Sequence, residues 1–453
     1  MLARARLLSL VLLLPACSHG RVELAPPTSE DDPAARAALV ASAMEGYRAA
    51  FVLTWNGRRI GEAREKFFAA DDAEGGFRFE RKERVVVRRG DATSVAHTTI
   101  VIDVDAAMIA RRVVVERDAG GPPLEARATR MSDDGWSVQV GDAPARLADG
   151  AAVPSTLVPL YVAAGGNQGK VFDGPVLVEG ANLATARLSV DVDRGTARSR
   201  YVTAAGELRA VARLDAQNRL VEAGLGAALG SKRVDDPAVL DASFDPPEIV
   251  DSAAIPVAGT SPAQASASAA TGAWSLRLTV SGVRVPPPAL PEIPEQTVAM
   301  APGGTWDVVV EPTAFPAAGS GPWRELRERT DWVAHALADD LRVATISPAE
   351  ALAAGRGDCT AHAVVLEEDL HARGYQTRLV TGFVVEDGAL RRHRWVAVRI
   401  GKRWIPVDPM FDEVPARPTH IALAVHGASP DELAFIDDVV FAGWSSAIAA
   451  WSP

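Results

Sequence analysis

Apolar and polar residues alternate in short runs over the first half of the chain. Runs with one apolar and one polar face are typical of strands that pack one side against a core. Asn56-Gly57, between the first two runs, has the residue types of a two-residue hairpin turn. The runs lie at residues 51–55, 60–68, 77–87, 98–104, 109–115, 184–192, 197–202 and 208–214. We therefore predict an N-terminal all-β antiparallel domain over residues 37–250.

The alternating pattern ends in a stretch rich in Ala, Ser, Pro and Gly at 251–273, a composition that cannot cover a core and that favours a linker. Strand-like runs at 274–283 and 306–310 lie within a segment, 274–312, that we interpret as a β-strand bridge. From Pro322 apolar residues recur at helical spacing, and strand-like runs follow. The sequence therefore predicts a multidomain chain with a C-terminal α+β domain over 313–453.

The first seventeen residues, MLARARLLSLVLLLPAC, resemble a bacterial lipoprotein signal. Two arginines precede a short apolar run, and small residues lead to Cys17. The run is shorter than the roughly 18 residues that a membrane-spanning helix requires. The resemblance implies a signal peptide over 1–16 and lipidation of Cys17. Prolines and an acidic cluster with little to bury predict a flexible tether over 17–36. Because Ser18 follows the cysteine, we expect an anchor in the outer membrane, facing the periplasm.

Composition and charge exclude several classes of protein. With 48% hydrophobic and 23% charged residues, the chain is globular rather than disordered. Asp and Glu total 58 against 47 Lys and Arg, and no basic run is present, so nucleic acid is not an expected partner. The two cysteines, Cys17 and Cys359, can form neither a disulfide framework nor a cysteine zinc cluster within the chain.

Cys359 is predicted to lie in the first turn of a helix over 360–373, which Gly374 ends as a C-terminal cap. Asp358 is suited to capping the start of this helix. The positive end of a helix stabilises a thiolate and thereby makes a cysteine nucleophilic. The alternative is a buried structural cysteine, since free cysteines are among the most buried residues.

Two predicted strands after this helix carry a base and a carboxylate. A two-residue turn at 401–402 would join strands 391–400 and 403–407. In that register Asp408 lies diagonal to His393 on the same face of the hairpin, within reach of a hydrogen bond. Such a carboxylate fixes the tautomer of the imidazole, which in turn can deprotonate a thiol. The pattern indicates a Cys-His-Asp arrangement for acyl transfer.

These residues belong to ordered motifs that resemble the bacterial branch of the transglutaminase-like superfamily of papain-like folds, over about 320–425. The motifs are Gly357-Asp358-Cys359-Thr360-Ala361-His362-Ala363, Gly374 with Arg378, Val380 and Gly382, His393-Arg394-Trp395, Trp404-Ile405-Pro406-Val407-Asp408-Pro409, and Thr419-His420-Ile421. The resemblance implies Cys359 as nucleophile, His393 as general base and then acid, and Asp408 as the group that orients the imidazole. This chemistry needs no metal, no calcium-loop spacing of acidic residues is present, and we expect no cofactor. The sequence departs from the family pattern at Ala361, Arg394 and Met410.

Other polar residues near these motifs have structural interpretations. His362 and His371 face opposite sides of one predicted helix, so they cannot share a metal. His362 is nevertheless near enough to the thiol to flank the site. Trp395 is expected to pack the strand pair and to wall the site beside His393.

We therefore expect an exported, lipid-anchored enzyme that attacks the amide group of a protein or peptide substrate and forms a thioester. Resolution by water would make it a peptidase or amidase, and resolution by an amine a transamidase. The alternative is a noncatalytic binding or scaffolding lipoprotein that retains the fold. The membrane contact is expected through the N-terminal lipid.

Overall fold

The computed structural model describes most of the chain from residue 46 onward. The described residues are 46–70, 76–89, 92–119, 123–132, 135–141, 143–159, 168–203, 206–216, 219–225, 228–249, 253–259, 275–283, 288–301, 303–313, 321–340, 347–429, 433, 436–437, 439–441, 443–444 and 447–451. Cys17, the signal and the tether lie outside them. No helix in the described part is long and apolar enough to span a membrane.

These residues form two compact units, one within Arg6–Val87 and Thr93–Pro247 and one within Arg88–Ala92 and Glu248–Pro453. We call them the β unit and the C-terminal unit.

The β unit is built on one fifteen-stranded sheet. Its strands are β1 (Arg48–Trp55), β2 (Arg58–Ala69), β3 (Phe77–Arg89), β4 (Ala92–Val104), β5 (Ala110–Asp118), β6 (Leu124–Arg130), β7 (Trp136–Val140), β8 (Arg146–Ala148), β9 (Val153–Pro154), β10 (Gln168–Val178), β11 (Ala184–Asp193), β12 (Thr196–Thr203), β13 (Gly206–Leu214), β14 (Leu220–Leu225) and β15 (Leu229–Val234). Short 3-10 helices lie at Ser155–Leu157, Glu179–Ala181 and Pro237–Asp241. The order is β8 through β1, then β15 through β9. The prediction of an all-β region is confirmed.

The alternating pattern explains these strands. Along β1 the side chains of Phe51, Leu53 and Trp55 are buried, as expected for one core-facing side. The β1–β2 turn places Asn56 and Gly57 at φ +48° and +75°. Both angles lie in the left-handed region that a type I′ hairpin turn requires, which explains the residue pair predicted there.

The core of the β unit also contains charge. Arg81 is buried and pairs with the carboxylates of Glu65 and Glu83, and Tyr47 donates a hydrogen bond to Glu65 at 2.8 Å. One cation between two acids partly compensates the loss of hydration that burial imposes on each group. Sequence alternation assigns these positions to the inner face but does not show that they pair.

The C-terminal unit combines a nine-stranded sheet with helices. Its strands are β16 (Ile255–Ala258), β17 (Leu276–Ser281), β18 (Gln296–Ala301), β19 (Thr305–Val310), β20 (Ala338–Asp339), β21 (Arg356–Gly357), β22 (Gln376–Glu386), β23 (Ala389–Ile400), β24 (Arg403–Val407), β25 (His420–His426) and β26 (Ile448–Trp451). The helices are α1 (Pro322–Ala336), α2 (Pro348–Ala354) and α3 (Cys359–Ala372). The sheet order is β18-β19-β17-β26-β16-β23-β22-β25, β24 pairs with β23, and β20 and β21 form a separate pair.

The structure adds two strands that the sequence patterns did not predict in this unit. The segment interpreted as a linker contains β16, which pairs with β23 and β26. Among its four residues, Ile255–Ala258, the one buried side chain is that of Val257. The segment therefore lacks the alternating apolar pattern from which a strand could be predicted. The bridging segment contains β18 in addition to the two expected strands. Gln296 starts β18 and is tied to Ala422 of β25 by two hydrogen bonds of 2.8 Å, which local patterning cannot show.

Helix α3 is the central helix of the C-terminal unit. It packs against β22 and β23, and Val364, Val365 and Leu366 are all buried, so the helix is enclosed on more than one side. Its apolar residues form one core with Val396 and Val398 of β23. Gly374, at φ +88°, ends the helix as predicted. This packing fixes the position of Cys359, the first residue of α3.

Candidate active site

Cys359 is held at the capped N-terminus of α3. The Asp358 carboxylate accepts hydrogen bonds from the backbone N–H groups of Thr360 and Ala361, at 3.0 and 3.1 Å. This is the predicted cap, and it satisfies two of the amides that the first helical turn leaves unpaired. The thiol is fully buried.

The environment of Cys359 favours the thiol. Burial raises the pKa of Cys359 to about 12, and the neighbouring Asp358 carboxylate acts in the same direction. The Arg394 guanidinium opposes this shift without reversing it. We expected the helix terminus to stabilise a thiolate, but the pKa of Cys359 is raised, because the loss of hydration and the Asp358 charge outweigh the Arg394 charge. Cys359 is therefore protonated at neutral pH.

His393 and Asp408 are brought together by the β23–β24 hairpin. Ile400 pairs with Arg403 across a two-residue turn, and Val396 pairs with Val407, which is the predicted register. His393 Nε2 lies 2.6 Å from Asp408 Oδ2, and both side chains are buried. The hydrogen bond anticipated from the spacing of these residues is therefore present.

The structure adds a second imidazole that the sequence analysis did not assign to the site. His420 Nε2 lies 2.8 Å from the same oxygen of Asp408, and His420 Nδ1 lies 3.0 Å from the carbonyl oxygen of Arg417. We call His393, Asp408 and His420 the Asp408 cluster. Sequence placed His420 in a motif, but its position on β25 depends on pairing with β22.

Gly382 permits this approach of β25. Its backbone lies so close to β25 that a Cβ atom on Gly382 would stand 2.0 Å from the carbonyl oxygen of Ile421. The register between β22 and β25 also shifts between Thr381 and Gly382. A glycine is therefore required beside the strand start that positions His420.

The carboxylate of Asp408 is fully engaged. Its Oδ1 atom accepts backbone hydrogen bonds from Met410 at 2.9 Å and Phe411 at 3.3 Å, while Oδ2 faces the two imidazoles. Burial alone would raise the pKa of Asp408, but the charges and hydrogen bonds of His393 and His420 hold it well below its usual range. Asp408 is therefore ionised at neutral pH.

The two histidines differ in proton affinity. Burial lowers the pKa of His393, and the charge of His420 adds to this against the opposing charge of Asp408. Burial also acts to lower the pKa of His420, but its hydrogen bond to Asp408, the Asp408 charge and the Glu413 charge together raise it. One imidazole is thus biased towards the neutral form and the other towards the cation.

The donor atoms of the Asp408 cluster lie within 4.8 Å of one another, a spacing at which three ligands can hold a metal ion. In the arrangement described, each Nε2 atom is directed at the carboxylate by a hydrogen bond. Protons on the two Nε2 atoms, both donated to Oδ2 of Asp408, therefore account for the contacts among these three atoms.

The structure does not join Cys359 to the histidine by a hydrogen bond. His393 Nδ1 is buried and has no hydrogen-bond partner among the described residues. His393 stacks on Trp395, on the strand face opposite Val396, which packs against α3. His393 and Asp408 are therefore brought together, whereas Cys359 is placed on a neighbouring element without a bond to either.

Arg394 connects the start of α3 to β23. Its guanidinium donates to Thr360 Oγ1 at 3.1 Å and Thr381 Oγ1 at 3.0 Å, and it pairs with Asp437. Both charged side chains are almost completely buried. Arg394 thus ties the helix that carries Cys359 to the strand that carries His393.

The remaining predicted residues pack around these groups. Trp395 is buried, with ring centroids 6.0 Å from His393 and 5.0 Å from His420. The Phe411 ring also stacks on His393, with ring centroids 5.1 Å apart. His362 is buried, and its nitrogens lie 2.9 and 3.0 Å from the carbonyl oxygens of Asp358 and Leu337, so it packs the helix rather than contacting the cluster.

Comparison with protein families identifies a transglutaminase-like core in the C-terminal unit. Residues 320–409 match the family model described as the transglutaminase-like superfamily. The match spans 90 of 453 residues and confirms the resemblance to the superfamily. Cys359, His393 and Asp408 lie within the matched residues. His420 lies beyond the matched residues.

Comparisons with whole proteins add little. No curated protein matches the chain. A solved structure, a beta-barrel-like protein of a domain of unknown function (DUF1849) from Brucella abortus, is similar at 12% identity. The similarity covers 42% of this chain and 96% of that chain, with a TM-score of 0.33.

Proposed function

We propose that the C-terminal unit is a papain-like, cysteine-dependent acyl-transfer domain with Cys359 as nucleophile, His393 as base and Asp408 as its orienting carboxylate. The observation that carries this proposal is the state of His393. Its Nε2 atom is engaged with Asp408, and its Nδ1 atom is buried without a hydrogen-bond partner in the part of the chain that the structure describes. A neutral imidazole held this way has its lone pair on Nδ1, which is the form a general base requires.

The proposed reaction begins from a neutral pair. His393 Nδ1 takes the proton of the thiol as Sγ attacks the carbonyl carbon of an amide. When the C–N bond breaks, His393 returns the proton to the leaving amine, and a thioester remains on Cys359. Water or a second amine then attacks the thioester, with His393 again accepting a proton and passing it to the thiolate. Water gives hydrolysis, and an amine gives transamidation.

A raised thiol pKa favours this order of events. Because burial raises the pKa of Cys359 to about 12, a preformed thiolate would be costly in the closed arrangement. Proton transfer concerted with attack avoids that species. The thiol is fully buried, so the substrate must gain access to Sγ before the reaction starts.

The cellular context is part of the same proposal. The N-terminal sequence supports export and lipidation at Cys17, with the chain held at the outer membrane and facing the periplasm. Several acyl chains together give a stable anchor. Proteins or the peptides of peptidoglycan are the amide substrates that this compartment offers.

The test uses the full chain with Cys17→Ser, in which Cys359 is the single thiol. Incubation with p-nitrophenyl acetate should release p-nitrophenol and leave an acetyl group on Cys359, detected by mass spectrometry of the peptide that contains it. Adding hydroxylamine should remove the group as a hydroxamate. His393→Gln should slow acetylation by about 100-fold or more, the usual contribution of a general base. His371→Gln, on an exposed part of α3, is the matched control.

A second candidate function is supported by a specific observation. Cys359 is fully buried and has no hydrogen bond to His393, which also suits a noncatalytic domain that retains the fold for binding. In that case acetylation would be equally slow in the parent and in His393→Gln. Alkylation by iodoacetamide would also show the same pH dependence in both proteins, and Cys359→Ser would leave the cellular phenotype unchanged.

A further inference from the structure

The Asp408 cluster contains one more imidazole than the proposed mechanism uses. Both Nε2 atoms face a single oxygen of Asp408, at 2.6 Å from His393 and 2.8 Å from His420. A carboxylate oxygen only accepts hydrogen bonds, so each Nε2 must carry a proton. The two rings therefore differ only in whether Nδ1 also carries one.

The surroundings of the two Nδ1 atoms are different. Nδ1 of His420 lies 3.0 Å from the carbonyl oxygen of Arg417, which can only accept, so a proton there is satisfied. The nearby hydroxyl of Thr419, at 3.1 Å, can also accept. Nδ1 of His393 has no hydrogen-bond partner among the residues that the structure describes, so a proton there would be buried without an acceptor from them. Local hydrogen bonding thus assigns the second proton to His420.

Charge balance leads to the same assignment. The Asp408 cluster is buried, and one cation beside one carboxylate leaves it with no net charge. Protonating both rings would add a second positive charge, with ring centroids 5.5 Å apart. Two other acids face the cluster. Glu413 acts on His420 and is itself paired with Arg417. Asp339, from β20, interacts more weakly with His393 and lies 3.5 Å from His362.

We propose that His420 is a positioning residue that carries the positive charge of the Asp408 cluster and thereby keeps His393 neutral, with its lone pair on Nδ1. His393 therefore stays neutral, and able to accept a proton, at a lower pH than it would if His393 were the single imidazole beside Asp408. The role in catalysis rests on the proposed function, but the assignment of protons does not. This second histidine lies outside the residues that match the family model.

The substitution that tests the charge is His420→Gln, because a glutamine side chain keeps an N–H donor for Asp408 but cannot become a cation. Two unit charges 5.5 Å apart, at an effective dielectric constant between about 20 and 40, shift a titration by roughly one to two pH units. The titration midpoint of His393 should rise by this amount in His420→Gln. His426→Gln is the matched control, since His426 lies on the same strand and contacts Thr381 instead of Asp408.

The first measurement is nitrogen NMR of the histidine rings in the full chain with Cys17→Ser and Cys359→Ser. The chain has eight histidines, and the signals of His393 and His420 are assigned from their glutamine variants. At pH 7 His420 should have both nitrogens protonated, and His393 only Nε2. A neutral His420, or a His393 midpoint that is the same in His420→Gln as in the parent, overturns the proposal. Spectra that change on adding a chelator also overturn it, because a metal ion would then occupy the cluster.

The second measurement is the pH dependence of Cys359 acetylation. In His420→Gln the acidic limb should move to higher pH by the same one to two units, while the rate at high pH approaches that of the parent. His420→Leu should lower the rate at all pH values, because it removes the hydrogen bond as well. A merely structural role predicts an equal loss at every pH in both variants, which would overturn the proposal. If no protein is acetylated, the proposed function fails while the NMR result still decides the role of His420.

Discussion

The buried pair of Arg394 and Asp437 makes a strong prediction for stability. Asp437→Asn keeps the size of the side chain and removes its charge. The Arg394 guanidinium then stays between Thr360 and Thr381, which offer hydroxyl groups but no negative charge. Because the side chains of both charged residues are at most 4% exposed, water cannot replace the lost carboxylate.

The expected loss is large on the scale of single substitutions. Removing one partner of a buried ion pair typically costs about 3 to 5 kcal/mol, since the remaining charge is left uncompensated. Replacing both partners by apolar residues, Arg394→Met with Asp437→Leu, removes that cost. The double variant should therefore be more stable than Asp437→Asn by about 2 kcal/mol or more.

Denaturant unfolding followed by tryptophan fluorescence measures this loss. Eight of the ten tryptophans, from Trp274 onward, lie in the C-terminal part of the chain, so the signal mainly reports that unit. Glu328→Gln is the control, because it breaks an exposed pair with Arg324 and should leave the midpoint unchanged. A loss below about 1 kcal/mol in Asp437→Asn would show that the pair is hydrated, and the reasoning from burial would be wrong.

Two further predictions concern the Asp408 cluster. Gly382→Ala should destabilise the C-terminal unit and lower the rate of Cys359 acetylation. The added Cβ atom would stand 2.0 Å from the Ile421 carbonyl oxygen and would displace the strand that carries His420. An unchanged denaturant midpoint would contradict this close approach. The raised pKa of His420 should also make the free energy of unfolding depend on pH. The stabilisation from protonated His420 is complete below the pKa of about 6.5 that histidine has in the unfolded chain, and it is lost as pH rises through the higher pKa of the folded protein. Between pH 5 and 9 the parent should lose this increment and His420→Gln should not, and parallel curves for the two proteins would contradict it.

Local sequence signals predicted much of the site. Alternation and the turn at 401–402 gave the register that brings His393 to Asp408, because a two-residue turn leaves little freedom in a hairpin. The capping preference of aspartate predicted Asp358 as the N-cap of α3, and Gly374 predicted where the helix ends. These features depend on residues near one another in sequence, so the pattern contains the information.

Features set by distant pairing could not be predicted in this way. His420 reaches Asp408 only because β25 pairs with β22 through a shifted register, and Asp437 meets Arg394 from 43 residues away. The pKa of Cys359 was expected to fall because the helix terminus is visible in sequence, whereas complete burial is not. Strand β16 was not predicted because its local pattern is weak and it is held by pairing with the distant strands β23 and β26.

The packing of Trp395 against the second histidine gives the protein an internal optical probe. The indole and the imidazole of His420 meet edge to face with centroids 5.0 Å apart. A protonated imidazole at contact distance quenches indole emission, whereas a neutral imidazole does so far less. The brightness of this one tryptophan, isolated by comparison with Trp395→Phe, should therefore increase as His420 loses its proton. Ordinary fluorescence could then follow the charge at the centre of the site in a protein that carries no label.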